Sequence, residues 1–145
     1  ASFIPVSTNH VGLDLFKPIV GRGSAYADFD QDGDLDVVLC QTGGAPLFCR
    51  NDQSLQHNWL KVQLTGKKSN RSAIGATINL KSAGQLQSRQ VMPTRSYLSQ
   101  CELPVTFGLG KATSVDELVI RWPSGKIQPV TVPSLNRSIH VTEAD

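Results

Sequence analysis

Aromatic side chains are scarce in this chain, at 6% of its residues. That poverty argues against a base-stacking platform for single-stranded nucleic acid, and no nucleic-acid-binding motif is present. No apolar run approaches the ~20 residues a membrane-spanning helix needs. Helical periodicity is hard to find anywhere. Catalytic signatures are missing as well: there is no His-Glu-x-x-His and no Gly-x-Ser-x-Gly, and His10, His57 and His140 are scattered. The expectation is therefore a protein that is not an enzyme. The opening Ala1-Ser2-Phe3 lacks an initiator Met and a basic n-region, so a fragment or a processed product is expected. With 39% hydrophobic and 18% charged residues over 145 positions, what remains is an ordinary globular balance.

Acidic residues are unevenly spread. Asp28-Phe29-Asp30-Gln31-Asp32-Gly33-Asp34-Leu35-Asp36 places a carboxylate at every second position and holds five of the 12 acids. Such a run repels itself unless a cation neutralises it. A hard divalent ion with a flexible oxygen shell, Ca²⁺, suits it better than Mg²⁺, which demands strict octahedral geometry. In that reading Asp28, Asp30 and Asp32 offer side-chain oxygens and Gly33 makes the turn. Asp34 gives its backbone carbonyl and Asp36 closes the shell. The β-branched Val37-Val38 that follows reads as a strand, and the twelfth position from Asp28 is Leu39, so the loop is not an EF-hand.

Outside that loop the other seven acids face 14 Lys and Arg, leaving the rest of the chain at about +7. Lys67, Lys68 and Arg71 cluster, with Arg89 and Arg95 further along. They read either as a solvated basic surface or as a patch for anionic polymers such as acidic polysaccharides.

Three cysteines are too few to frame a disulfide scaffold. Cys40 and Cys49 flank a segment whose Gly43-Gly44 predicts a hairpin turn, and either a cross-strand disulfide or two buried thiols would fit.

Short alternating segments separated by Gly, Pro, Ser and Asn turns run along the chain. Leu60, Val62 and Leu64 share one face of the segment 58–64, with Trp59, Lys61 and Gln63 on the other. Ile74, Ala76, Ile78 and Leu80 are expected to face inward. Further strands are expected over 86–92, 105–109, 117–122, 127–132 and 138–142. The fold class is all-β, an antiparallel sandwich or barrel preceded by an N-terminal hairpin that carries the calcium loop. A polar stretch at 52–57 divides the chain into residues 1–56 and 57–145. The first part is too small to bury a core alone and must pack on something else.

Four stretches carry a family resemblance: Asn58-Trp59-Leu60-Lys61-Val62, Lys68 to Ala76, Phe107-Gly108-Leu109-Gly110 and Arg121-Trp122-Pro123-Ser124-Gly125. With them, residues 57–145 resemble an ASPIC/UnbV domain of the cartilage acidic protein-like family. Gly21 to Ala27 with the acidic loop resembles one FG-GAP/VCBS repeat, the blade unit of β-propellers. The resemblance implies Ca²⁺ at Asp28, Asp30, Asp32, Asp34 and Asp36. It also implies a secreted, extracellular or periplasmic home, and binding or adhesion rather than catalysis. A single blade cannot close a propeller, so the resemblance further implies the C-terminal part of a larger protein.

The function expected is thus a calcium-binding interaction module whose partner is an extracellular protein or polysaccharide. The alternative is a carbohydrate-binding module for acidic glycans, with Lys67, Lys68 and Arg71 at its ligand site and Trp59, Tyr97 or Tyr26 stacking on sugar rings. Burial of Trp59 and Trp122 would favour the first.

Overall fold

The computed structural model describes residues 4–53 and 55–145. The Ala1-Ser2-Phe3 opening, and Ser54 within the expected boundary, lie outside the described residues. Apart from one helical turn at Thr8–Val11 and a 3₁₀ turn at Asp14–Phe16, every regular element is a strand.

The N-terminal part forms a meander of β1 (Gly21–Ala27), β2 (Asp36–Gln41) and β3 (Leu47–Cys49). The acidic loop is its β1–β2 connection. The rest builds a sandwich. One sheet runs β11 (Ile127–Pro129), β10 (Glu117–Arg121), β5 (Thr77–Ser82), β6 (Gln85–Gln90). The other runs β12 (Arg137–Thr142), β4 (Asn58–Thr65), β9 (Val105–Gly110). A small hairpin of β7 (Thr94–Ser96) and β8 (Ser99–Gln100) lies beside β1. Among the described residues the sheets remain open, without barrel closure, and all pairings but one are antiparallel. β12 pairs in parallel with β4, Ile139 opposite Val62.

The alternating residues meet between the two sheets. Leu60, Val62, Phe107, Ile78, Leu80, Leu118, Ile120 and Trp122 are almost completely buried in one cluster, each contributing about 1.5–3 kcal/mol of transfer free energy. Trp122 satisfies its indole N–H on Gln128 Oε1 at 3.0 Å, and its strand ends in a turn whose Gly125 has φ +89°. None of that cluster comes from the first 56 residues.

Two expectations need correction. Ile74 is not the inward start of a strand but is 46% exposed. The Asn70 side chain clasps its backbone, accepting from the Ile74 N–H at 2.9 Å and donating to the Ile74 carbonyl at 2.8 Å. Residues 70–76 are therefore a turn, and β5 starts only at Thr77. Neither reading of Cys40 and Cys49 holds: no bridge forms between them, and the free thiols are not both buried, Cys40 being exposed and Cys49 half-buried. On β2, Val37 faces Cys49 and Leu39 faces Leu47, whereas Cys40 lies opposite Gly23 of β1. Side chains alternate along a strand, so Cys40 and Cys49 project from opposite faces of the sheet.

Candidate metal centre

The β1–β2 connection turns sharply, with Gln31 at φ 63° and Gly33 at φ 99°. The left-handed value favours glycine at position 33, and so does space: a methyl there would come within 2.2–2.4 Å of the Trp59 indole. The loop is further shaped by its own acids. Asp32 Oδ1 accepts the Asp34 N–H at 2.9 Å. Asp36 is 1% exposed and accepts the Phe29 N–H at 2.9 Å on one oxygen and the Asn51 N–H at 2.8 Å on the other. Gln53 donates to Asp34 Oδ1.

These bonds divide the five aspartates. Carboxylate oxygens of Asp28, Asp30 and Asp32 lie within 4.8 Å of one another, and those of Asp34 and Asp36 fall outside this cluster. Asp30 and Asp32 are exposed, while Asp28 is buried. One Asp28 oxygen, Oδ2, lies 3.3 Å from Lys61 Nζ. The other, Oδ1, is buried with no hydrogen-bond partner among the described residues. An orphaned buried carboxylate oxygen is costly. Beside two further carboxylates it presents an all-oxygen donor set of the kind a hard cation takes, so the residues fit calcium.

Strand β4 is two-sided at this point. Leu60 and Val62 enter the core, and the opposite face presents Trp59 to Gly33 and Lys61 to Asp28. Lys61, on the strand face opposite Leu60 and Val62 as alternation predicts, is nevertheless 7% exposed and also lies 2.8 Å from Glu102 Oε2. The acidic meander covers it.

The basic cluster is arranged differently. Glu143, fully buried and unmarked by any sequence signal, accepts the backbone N–H groups of Lys67, Lys68 and Ser69 on Oε2 at 2.8, 2.9 and 2.7 Å. Its Oε1 accepts the hydroxyls of Ser69 and Ser124. Burial alone would raise this carboxyl. The Ser124 hydroxyl and the backbone N–H groups of Ser69 and Lys67 outweigh it and bring the pKa from 4.5 to about 2. The Lys67 ammonium pairs with Asp145 at 3.0 Å, leaving Lys68 and Arg71 as exposed cations without a carboxylate partner among the described residues. The turn is thus held from beneath by a carboxylate, with two free positive charges on top.

Residues 66–145, more than half of the chain, match the family model described as ASPIC and UnbV. The chain belongs to the ASPIC and UnbV family. It is similar to cartilage acidic protein 1 of Xenopus tropicalis, with 37% identity over 113 residues, 74% of this chain and 17% of that protein. It is likewise similar to cartilage acidic protein 1 of Homo sapiens, with 35% identity over 122 residues, 79% of this chain and 18% of that protein. The chain therefore spans less than a fifth of the length of these relatives. The ASPIC and UnbV match contains the Glu143 cradle and the basic cluster, whereas the acidic loop precedes it. No helix among the described residues is long and apolar enough to cross a membrane.

Proposed function

We propose that this chain is a calcium-stabilised interaction module of an extracellular protein, with Asp28, Asp30 and Asp32 as the metal-holding carboxylates. The observation that carries the reading is the buried, unpartnered Asp28 Oδ1 beside two further carboxylates. A bound Ca²⁺ would supply the positive charge that this cluster lacks. Asp36 and Gly33 would serve by fixing the loop around the cluster. Relatives named for cartilage support the extracellular setting. The FG-GAP/VCBS likeness of residues 21–36 supports a place beside propeller-type repeats in a longer protein.

Binding rather than catalysis is supported by where the histidines lie. His10 bonds Ser7 at the start of a four-residue helical turn, and His140 bonds the Thr65 hydroxyl on the neighbouring strand β4. The aromatics divide between the readings: Trp122 is 2% exposed and Trp59 is half-buried against Gly33, which favours a plain interaction surface, whereas Tyr97 is 71% exposed, which favours sugar stacking. Acidic glycans are kept as the second reading because Lys68 and Arg71 project unpaired.

Calorimetric titration with CaCl₂ tests the metal. Saturable binding that disappears in Asp28→Asn is expected. With the ion at a hundredfold its Kd, the native state should gain about 2.7 kcal/mol, so the melting temperature should fall by several degrees in EDTA. Superimposable melts in calcium and EDTA would remove the assignment.

A further inference from the structure

We propose that Arg89, Arg95 and Thr106 form a binding site for a compact oxyanion, the sulfate or carboxylate group of a ligand, in the seam between the N-terminal meander and the sandwich. A cavity of about 50 Å³ lies there, lined by Tyr26 and Leu35 from the meander and by Arg89, Arg95, Glu102 and Thr106 from the sandwich. That volume is several times the roughly 10–15 Å³ one water needs, enough for one compact anionic group.

Both guanidinium groups are positioned without being neutralised. Arg95 donates from Nε to the Met92 carbonyl at 3.0 Å and from Nη2 to the Gln90 carbonyl at 3.2 Å. Arg89 lies over the Phe107 ring, 5.7 Å from its centroid. Neither forms an ion pair among the described residues. Carbonyls and an aromatic face fix the direction of a guanidinium but leave its charge and remaining donors for a ligand, and planar guanidinium matches oxyanion geometry. The third wall offers a hydroxyl: Thr106 Oγ1 is buried and has no hydrogen-bond partner among the described residues. An anion oxygen would accept a hydrogen bond from it.

The one acid on the cavity is already engaged. Glu102 Oε2 lies 2.8 Å from Lys61 Nζ, and its Oε1 accepts the Asp28 N–H at 3.4 Å. The local balance is therefore two unpaired cations beside one carboxylate that shares the Lys61 ammonium with Asp28. This site is separate from the Lys68–Arg71 surface.

The test is an NMR titration of the ¹⁵N-labelled chain with sodium sulfate, sodium acetate and a sulfated disaccharide, each at ionic strength held constant with NaCl. Saturable shifts of the Arg89, Arg95 and Thr106 amides are expected. Sulfate against acetate separates tetrahedral from planar preference, and the disaccharide shows whether a group attached to a sugar is accepted. Arg89→Gln, at an exposed position that leaves the core intact, should weaken binding about tenfold, the scale of one charged hydrogen bond. Thr106→Val should weaken it in the same direction, and Lys68→Ser with Arg71→Ser should leave it unchanged. Shifts that merely follow ionic strength, an Arg89→Gln variant that binds like the parent, or loss of binding in the Lys68/Arg71 variant would each overturn the proposal.

Discussion

Lys61 and Asp28, 33 positions apart in sequence, form an ion pair of 3.3 Å in which the Asp28 side chain has no exposure and that of Lys61 has 9%. The pair joins the strand that builds the sandwich core to the loop that gathers the aspartates. Glu102 completes a buried triad of one cation and two anions.

Removing the cation of such a triad leaves uncompensated buried charge, an effect of about 3–5 kcal/mol. Lys61→Met is accordingly expected to lower the urea midpoint strongly in the absence of calcium. Calcium should restore more stability to this variant than to the parent, because the ion would then be the only cation near Asp28. Equal calcium responses in the two proteins would show that the triad and the metal cluster are independent.

Gly33 is restricted twice, by its φ of 99° and by the Trp59 indole above it. Gly33→Ala should cost about 1–3 kcal/mol from backbone strain, with the steric conflict added. In Gly33→Ala/Trp59→Ala the steric part vanishes while the strain remains, so the two effects will be non-additive. Denaturant curves for the four proteins of the cycle measure this, and strict additivity would mean that the indole does not rest on the loop.

The Glu143 carboxyl is depressed from 4.5 to about 2 in the folded chain. A group bound more weakly by protons when folded contributes its stability fully above its unfolded value and loses it as pH falls. Melting temperature should therefore decline between pH 4.5 and 2. Glu143→Gln should be less stable at neutral pH and show a shallower decline. A variant that follows the parental pH profile would remove Glu143 from this role.

The register of β2 against β3 predicts thiol chemistry. Under denaturing, non-reducing conditions Cys40, Cys49 and Cys101 should all react with a maleimide. Without denaturant, exposed Cys40 should react first and buried Cys101 last. A linked Cys40–Cys49 peptide in a non-reduced map would contradict the observed pairing.

Much of the sandwich was legible locally. Alternation along residues 58–64 and 74–81 separates inward from outward side chains because one face of a strand is buried and the other is not, and Leu60, Val62, Ile78 and Leu80 lie where it placed them while Ile74 does not. Gly33 as a turn residue follows from residue type alone.

Other features depend on neighbours that alternation cannot identify. Lys61 lies opposite the Leu60–Val62 face of its strand by periodicity, and its burial comes from a meander earlier in the chain that lies over it. Cys40 and Cys49 look pairable until register sets them on opposite faces. The acidic run determined where negative charge accumulates, but hydrogen bonding to Phe29 and Asn51 decided that Asp36 stands apart from Asp28, Asp30 and Asp32. Glu143 is one more polar residue near the end of the sequence until the parallel pairing of β12 with β4 carries it beneath the turn at 67–69. Sequence by itself determined most strands of the sandwich, most of their inward faces and the acidic loop, since these follow from residue type and short-range spacing. Tertiary structure decided which charges are paired, buried or left free, since that depends on contacts between residues tens of positions apart.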